Sequence, residues 1–522
     1  MSAADPGLDP SGIGERLHPF HGGLRVRHHK KISCAEPVAD VPLPGHFVIP
    51  LLQHGGETAM PCVEVGARVL RGQRIGCIER RFGAVVHAPT SGVVEAVENR
   101  PMTHPSGLAG PCIVLRADGR DEWAPLAPCP DWSTAEPDEL IRRVGEAGIV
   151  GLGGAVFPTG HKAAGGREAR VHTLILNGAE CEPYISCDEM LMREAPARIV
   201  AGARILRRVL GAHRVIIAIE DVMGAVRVAL ERAIAEAGDE TIGVVQVPQV
   251  YPEGGERQLI EVLTGLEVPS GGLPTDLGLL CQNVATAAAV ADAVIEGKPL
   301  IERIVTVTGP GVERPRNLRA RIGMPLGLLV VEAGGYRADA ARLIVGGPLM
   351  GYAVPSDELP LVKACNCLLV LTADEIRPAQ PEMPCINCGE CARVCPARLL
   401  PQLLNRNIRA ELWDEAESAG LGECIECGCC DIVCPSHIPL AAWFRHGKGQ
   451  LRTRRQERER AEIARARHEA REARLAREKR EKAERRERKK AALRDDAEKK
   501  RRIAEALERA AAKRAAKDET AS

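Results

Sequence analysis

Short apolar runs broken by glycine occupy the first part of the chain, and longer helical periods follow. Val63, Val65, Val69, Ile75 and Ile78 are interleaved with Gly66, Gly72 and Gly76, which predicts short strands and turns across residues 41–98. Further on, the spacing predicts helices over 138–147, 189–210 and 223–236, the second with Leu191, Ile199, Ile205, Leu206 and Val209 on its apolar side. Apolar runs at 173–176, 215–219 and 242–247 read as strands between them. Strands alternating with helices imply a parallel sheet. Residues 304–308 and 328–331 read as a return to short β-runs. Residues 448–519 are dominated by Ala, Arg, Lys and Glu in a helical register. There Glu478 with Lys482, Glu481 with Arg485, Glu484 with Arg488, Asp495 with Lys499 and Glu498 with Arg502 are i,i+4 pairs in the favourable order. No sustained apolar seam runs along this tail, so a tight coiled coil is not expected.

Composition adds exclusions. A chain of 522 residues with a 45% apolar fraction is globular and long enough for several domains. No apolar run nears the ~18–20 residues of a membrane span. The acidic, Gly/Pro-rich residues 1–14 do not read as a signal peptide, so a soluble, cytoplasmic chain is expected. The net charge of zero conceals a division: residues 448–522 hold 28 basic and 16 acidic side chains, leaving 42 against 54 for the rest. An acidic body carries a basic tail. The tail reads either as a solvated helix without a partner or as a contact for anionic lipid headgroups or an acidic protein partner. An aromatic content of 2%, with no Phe, Trp or Tyr after Phe444, argues against nucleic acid.

Nine of the nineteen cysteines lie between Cys385 and Cys434. Cys385-x2-Cys388-x2-Cys391-x3-Cys395-Pro396 is followed by Cys424-x2-Cys427-x2-Cys430-x3-Cys434-Pro435. In this two-cluster ferredoxin spacing, three thiolates on one loop reach one cubane and the fourth serves the other. One [4Fe–4S] cluster is therefore assigned to Cys385, Cys388, Cys391 and Cys434, the second to Cys424, Cys427, Cys430 and Cys395. Structural zinc sites space their cysteine pairs more widely. Cys429 is read as a small buried residue beside the cluster, and the ten scattered cysteines in the same way.

A second pattern is the loop Gly151-Leu152-Gly153-Gly154-Ala155-Val156-Phe157-Pro158-Thr159-Gly160-His161-Lys162. Glycines let backbone N–H groups approach a phosphate, and the lysine supplies counter-charge. It matches neither the P-loop nor GxGxxG. After the strand at 173–176 comes Asn177-Gly178-Ala179-Glu180-Cys181-Glu182-Pro183, placing carboxylates where doubly wound sheets bind ligands.

Together these motifs resemble the flavin- and NADH-binding subunit of respiratory complex I, whose stretches read GRGGAGFPTG-x-K and NADESEP. The order of parts over residues 40–447 is more similar still to the RnfC family of Rnf complexes, the ion-translocating ferredoxin:NAD oxidoreductases. The stretch from His87 to Val94 resembles a biotinyl/lipoyl-type β-sandwich, although no lysine stands between Gly76 and Pro89 to carry a cofactor.

The resemblance implies a multidomain α/β and α+β chain. Its expected parts are an N-terminal arm (1–39), a barrel-sandwich domain (40–125), a Rossmann-like FMN/NADH domain (130–300), a soluble-ligand-binding β-grasp domain (301–372), a two-cluster ferredoxin-like segment (380–445) and a charged helical or disordered tail (448–522). It implies FMN held by Gly151, Gly153, Gly154 and Lys162, with Asn177, Glu180, Gly254, Gln282, Asn283 and Thr286 completing the flavin site. Phe157, Glu182 and Glu256 would face the nicotinamide nucleotide. Two positions depart from the family: Val156 stands where it has glycine, and Gly255 where complex I has a carboxylate.

NADH releases two electrons as a hydride while a cubane accepts one, a mismatch a flavin bridges. The expected function is electron input to a membrane-bound complex, with ferredoxin at its far end and no general acid or nucleophile required. The expected partners are the other subunits of the membrane-embedded complex, with this chain peripheral at the cytoplasmic face of the bacterial inner membrane and touching the membrane surface by association only. The alternative is a ferredoxin-like relay that binds no flavin.

Overall fold

The computed structural model describes residues 12–79, 82–376, 378 and 380–519. It divides into two units, Met1–Arg445 and His446–Ser522.

The first unit begins with two small antiparallel sheets. One runs His46–Pro50, Ala109–Ala117, Gly92–Pro101, Arg68–Val69 in spatial order; the other runs Met60–Pro61, Arg74–Cys77, Val86–His87. Alternate residues such as Phe47, Ile49, Ile75, Val86, Val94, Ile113 and Leu115 point into one shared core.

The expected parallel sheet is present, in the order Ile242–Val247, Arg214–Glu220, Thr173–Gly178, Leu279–Asn283. Its strands are almost continuously apolar because both faces are covered. Leu174, Leu176, Val215 and Ile217 pack with the helices Pro137–Glu146, Pro196–Leu210 and Val284–Ala291. On the other face Ile175, Ile216 and Ala218 meet the helix Glu256–Thr264 and Ile13 of the N-terminal arm.

Two expectations need correction. The helix foreseen over 189–210 is two helices, Cys187–Glu194 and Pro196–Leu210. Pro196 lacks an N–H and has a fixed φ, so it starts a helix rather than continuing one. The β-run foreseen at 328–331 belongs to the helix Leu326–Glu332. Its buried Leu326, Leu329 and Val330 follow the i, i+3, i+4 spacing, which a short apolar run does not distinguish from a strand. That helix accompanies a six-stranded mixed sheet ordered Ala39–Asp40, Arg316–Arg321, Glu302–Thr308, Cys367–Thr372, Ala340–Val345, Tyr352–Ala353.

Residues 12–33 form an arm over these parts. Gly23 N–H donates to Val394 O at 2.9 Å in the cysteine-rich segment, and Leu24 bridges to Tyr251. The second unit is helical, within Leu440–Glu519, and its described side chains from Arg455 onward are exposed. Glu498 pairs with Arg502 at 3.1 Å as foreseen. Glu478 and Glu481 instead face Arg474 and Arg477, one turn earlier.

Candidate functional site

In the parallel sheet, Thr173–Gly178 has the later strand Arg214–Glu220 on one side and Leu279–Asn283 on the other. Connections leaving in opposite directions open a crevice at the C-terminal ends of the strands, the ligand position of doubly wound sheets. Asn177, Gln282 and Asn283 occupy those ends. Asn283 Oδ1 accepts the N–H groups of Ala285 (2.9 Å) and Thr286 (3.3 Å), capping the helix Val284–Ala291. Its Nδ2 donates to Asp188 at 2.6 Å. Thr286 Oγ1 accepts Leu152 N–H at 2.9 Å, which fixes the glycine loop to the same helix. Gly151 N–H donates to Phe157 O at 2.9 Å and closes that loop.

Asn177 Nδ2 donates to Gly254 O at 2.8 Å. A Cβ on Gly254 would lie 2.2 Å from Ala179 O, so this close approach requires glycine. Lys162, in the second turn after the loop, pairs with Glu256 at 2.7 Å. The helices Thr159–Glu168, Glu256–Thr264 and Val284–Ala291 thus all begin among these residues; Asn283 caps the third, while the first two have no side-chain cap and their N-termini favour an anion. Gln282 Nε2 is buried without a hydrogen-bond partner. This set suits FMN: polar groups at strand ends, a glycine loop, helix N-termini and a lysine for the phosphate. Val156 adopts φ 44°, the left-handed region, where its family counterpart is glycine.

Two carboxylates of the second motif are already engaged. Glu180 accepts N–H groups of Asp188 (3.0 Å) and Glu189 (3.3 Å) at the start of the helix Cys187–Glu194. Glu182 accepts those of Leu349 (2.7 Å) and Met350 (3.0 Å). Phe157 is 42% exposed, on the outer side of the glycine loop.

Behind these residues lies a group that sequence reasoning missed. Lys30 of the arm is buried; its Nζ lies 3.2 Å from Glu220 and 3.9 Å from Glu180, and it also donates to Glu180 O. Burial alone would depress the ammonium, but the two carboxylates outweigh it and hold its pKa above the ordinary lysine value. Burial pushes Glu180 up to about 8, Lys30 opposing. Glu253 is likewise raised to about 8 by burial, with the Glu220 and Asp221 charges adding to it. Both its carboxyl oxygens are buried without a partner. Lys30 sits in a His-His-Lys-Lys run that reads as solvated, so no sequence signal marked it.

The cysteines gather in two recesses. One is lined by Cys385, Cys388, Cys391 and Cys434; the other by Cys395, Cys424, Cys427, Cys429 and Cys430. The first recess offers four thiol donors, the set a cubane takes, and the second offers its four with Cys429 as a fifth. Cys385 and Cys388 are exposed, whereas Cys427 and Cys430 are buried. Cys429 is wholly buried and packs with Cys427 and Tyr251. Tyr251, three residues before Gly254, donates its hydroxyl to Cys427 O at 2.6 Å. One buried side chain therefore joins the crevice loop to the inner recess.

Four family models match parts of the chain. They are an RnfC barrel sandwich hybrid domain over residues 18–120, a Nuo51 FMN-binding domain over 144–292, an SLBB domain over 304–353 and a 4Fe-4S dicluster domain over 383–438. The C component of the ion-translocating oxidoreductase complex of Pseudomonas aeruginosa is 47% identical over 441 residues, 84% of this chain. Its Vibrio cholerae counterpart is 44% identical over 448 residues, 85% of this chain. The chain spans 57% of the length of each of these relatives. A crystal structure of NAD+-reducing [NiFe]-hydrogenase is similar at 22% identity and a TM-score of 0.44, covering 62% of this chain and 63% of that one.

Proposed function

We propose that this chain, a homologue of the RnfC component of ion-translocating oxidoreductase complexes, is an electron-input subunit that connects NADH to one-electron carriers. Its own residues would hold FMN at the crevice and two [4Fe–4S] clusters in the cysteine recesses. Bound FMN supplies the exchange between two-electron and one-electron chemistry. The Lys162 ammonium and the helix N-termini hold its phosphate, and Asn177, Gln282 and Asn283 offer polar partners at the strand ends. Phe157 and Glu256 lie on the rim where NADH would enter. The β-grasp reading of residues 301–372 and the barrel-sandwich reading of 40–125 accompany this assignment.

The observation that carries it is the Tyr251–Cys427 hydrogen bond, which ties the crevice loop to the buried recess. It supports an order: a cluster held by Cys395, Cys424, Cys427 and Cys430 would be the one joined to the flavin crevice, and one held by Cys385, Cys388, Cys391 and Cys434 would pass electrons outward to another protein of the complex, with ferredoxin further on. No helix among the described residues is long and apolar enough to cross a membrane; the proposed place of the chain is peripheral, at the cytoplasmic face. The strained Val156 favours one second reading, a relay without flavin.

Anaerobic purification followed by flavin and iron analysis separates the two. Stoichiometric FMN, about eight irons and bleaching by NADH are expected. Iron without flavin and without response to NADH would establish the relay. For the order, NADH is expected to reduce the remaining cluster in Cys388→Ala, seen by electron paramagnetic resonance. In Cys427→Ala it is expected to reduce the flavin only. The opposite pattern reverses the order.

A further inference from the structure

The turn between Arg74–Cys77 and Val86–His87 is the place where a carrier-type sandwich presents its cofactor lysine. Here it presents Phe82. The Phe82 ring lies 5.2 Å from that of Phe157, tilted by 56°, and 5.4 Å from the ring of His161, edge-on at 79°. The two parts are tied by backbone as well. Gly55 N–H donates to Val156 O at 3.0 Å, while within the sandwich itself Glu57 N–H donates to Phe82 O at 3.1 Å. The sandwich therefore meets the glycine loop of the neighbouring sheet through Phe82 and Gly55.

Phe82 and Phe157 remain 37% and 42% exposed, in a chain with five phenylalanines. Their contact buries only part of each ring, so apolar faces stay open to a flat partner. The neighbouring chemistry limits what that partner is. Lys162 follows His161 directly, and the helix Thr159–Glu168 begins beside Phe157, so the rings border an anion-attracting rim. A dinucleotide joins two flat bases through a pyrophosphate. Its nicotinamide must lie on the flavin to give up a hydride, which leaves the adenine to be held outside the crevice.

We propose that Phe82, together with Phe157, stacks the adenine of NADH, so that the N-terminal β-sandwich supplies a wall of the nucleotide site. The inference rests on the NADH reading above and adds a binding residue from a different part of the chain.

The test uses the full FMN-loaded chain and two substrates, NADH and reduced nicotinamide mononucleotide, which lacks the adenosine. Stacking on an aromatic side chain contributes about 1–3 kcal/mol by alanine substitution. Phe82→Ala is therefore expected to lower kcat/KM for NADH by about 5- to 150-fold, to weaken inhibition by AMP and to leave the mononucleotide reaction unchanged. Phe82→Trp should restore NADH use, whereas Phe82→Leu, which keeps apolar bulk without a ring, should not. Flavin content and melting temperature monitor the fold of each variant. Equal losses on both substrates, no loss on NADH, or rescue by leucine would overturn the stacking role. A wild-type protein that binds FMN yet oxidises neither substrate overturns the NADH reading, and this inference with it.

Discussion

Glu253 shows what one buried side chain does to the energetics of the crevice loop. Its two oxygens have no partner, and its pKa is raised from 4.5 to about 8 by burial and by the nearby Glu220 and Asp221. At neutral pH the folded state therefore binds a proton that the unfolded state has released. The sign follows from linkage: this group's contribution is intact below pH 4.5 and is lost as the pH rises through about 8. Glu253→Gln is neutral at every pH and escapes that loss. Its melting temperature should gain on wild type between about pH 5 and about pH 8.5, measured by calorimetry; a pH-independent gap would show that Glu253 titrates normally. Val156 is a different kind of cost. A β-branched residue in the left-handed region carries about 1–2 kcal/mol of steric strain, yet its carbonyl still receives Gly55 N–H from the loop after the strand His46–Pro50. The strain sits in the loop that would cradle the phosphate.

At the scale of elements, the arm is the part that sequence patterning did not disclose. Three of the four parallel strands were legible because each is a short apolar run between helical periods, and both cysteine motifs because their spacing is dictated by a cubane; the fourth strand, Leu279–Asn283, was not foreseen. Lys30 was not, since its role depends on Glu180 and Glu220, far away in sequence, converging on one point. For the same reason Glu180 and Glu182 could be placed near the crevice by motif, but not their backbone partners at residues 188–189 and 349–350. The helix Leu326–Glu332 was misread because seven residues give too little period to separate it from a strand. Lys30 also yields a prediction. Lys30→Met leaves two buried carboxylates without their cation, and removing one partner of a buried pair costs about 3–5 kcal/mol. The urea midpoint should fall accordingly, and adding Glu220→Gln should recover part of the loss. A midpoint unchanged in Lys30→Met would mean that the carboxylates are already neutral.

Across the whole molecule, the charge division coincides with the structural one. The acidic body includes the sheets, the crevice and the recesses, while the basic excess lies in a helix whose described side chains are exposed from Arg455 onward. Truncation after Glu459 should therefore leave flavin and iron content unchanged when the purified protein is analysed, and alter only association with partner proteins or lipid. Loss of iron on truncation would assign the tail a structural role.

The arm has a bearing on how the protein is made. Gly23 and Leu24 find their partners only at Val394 and Tyr251. At ribosomal speeds of about 5–20 residues per second, the wait for Val394 is on the order of tens of seconds. The arm is synthesised before its partners but docks after them. Ile13, Leu24 and Lys30 meet residues 180–263, so only the Gly23 catch waits for the first cysteine motif, and a polypeptide abandoned before it lacks that last fastening.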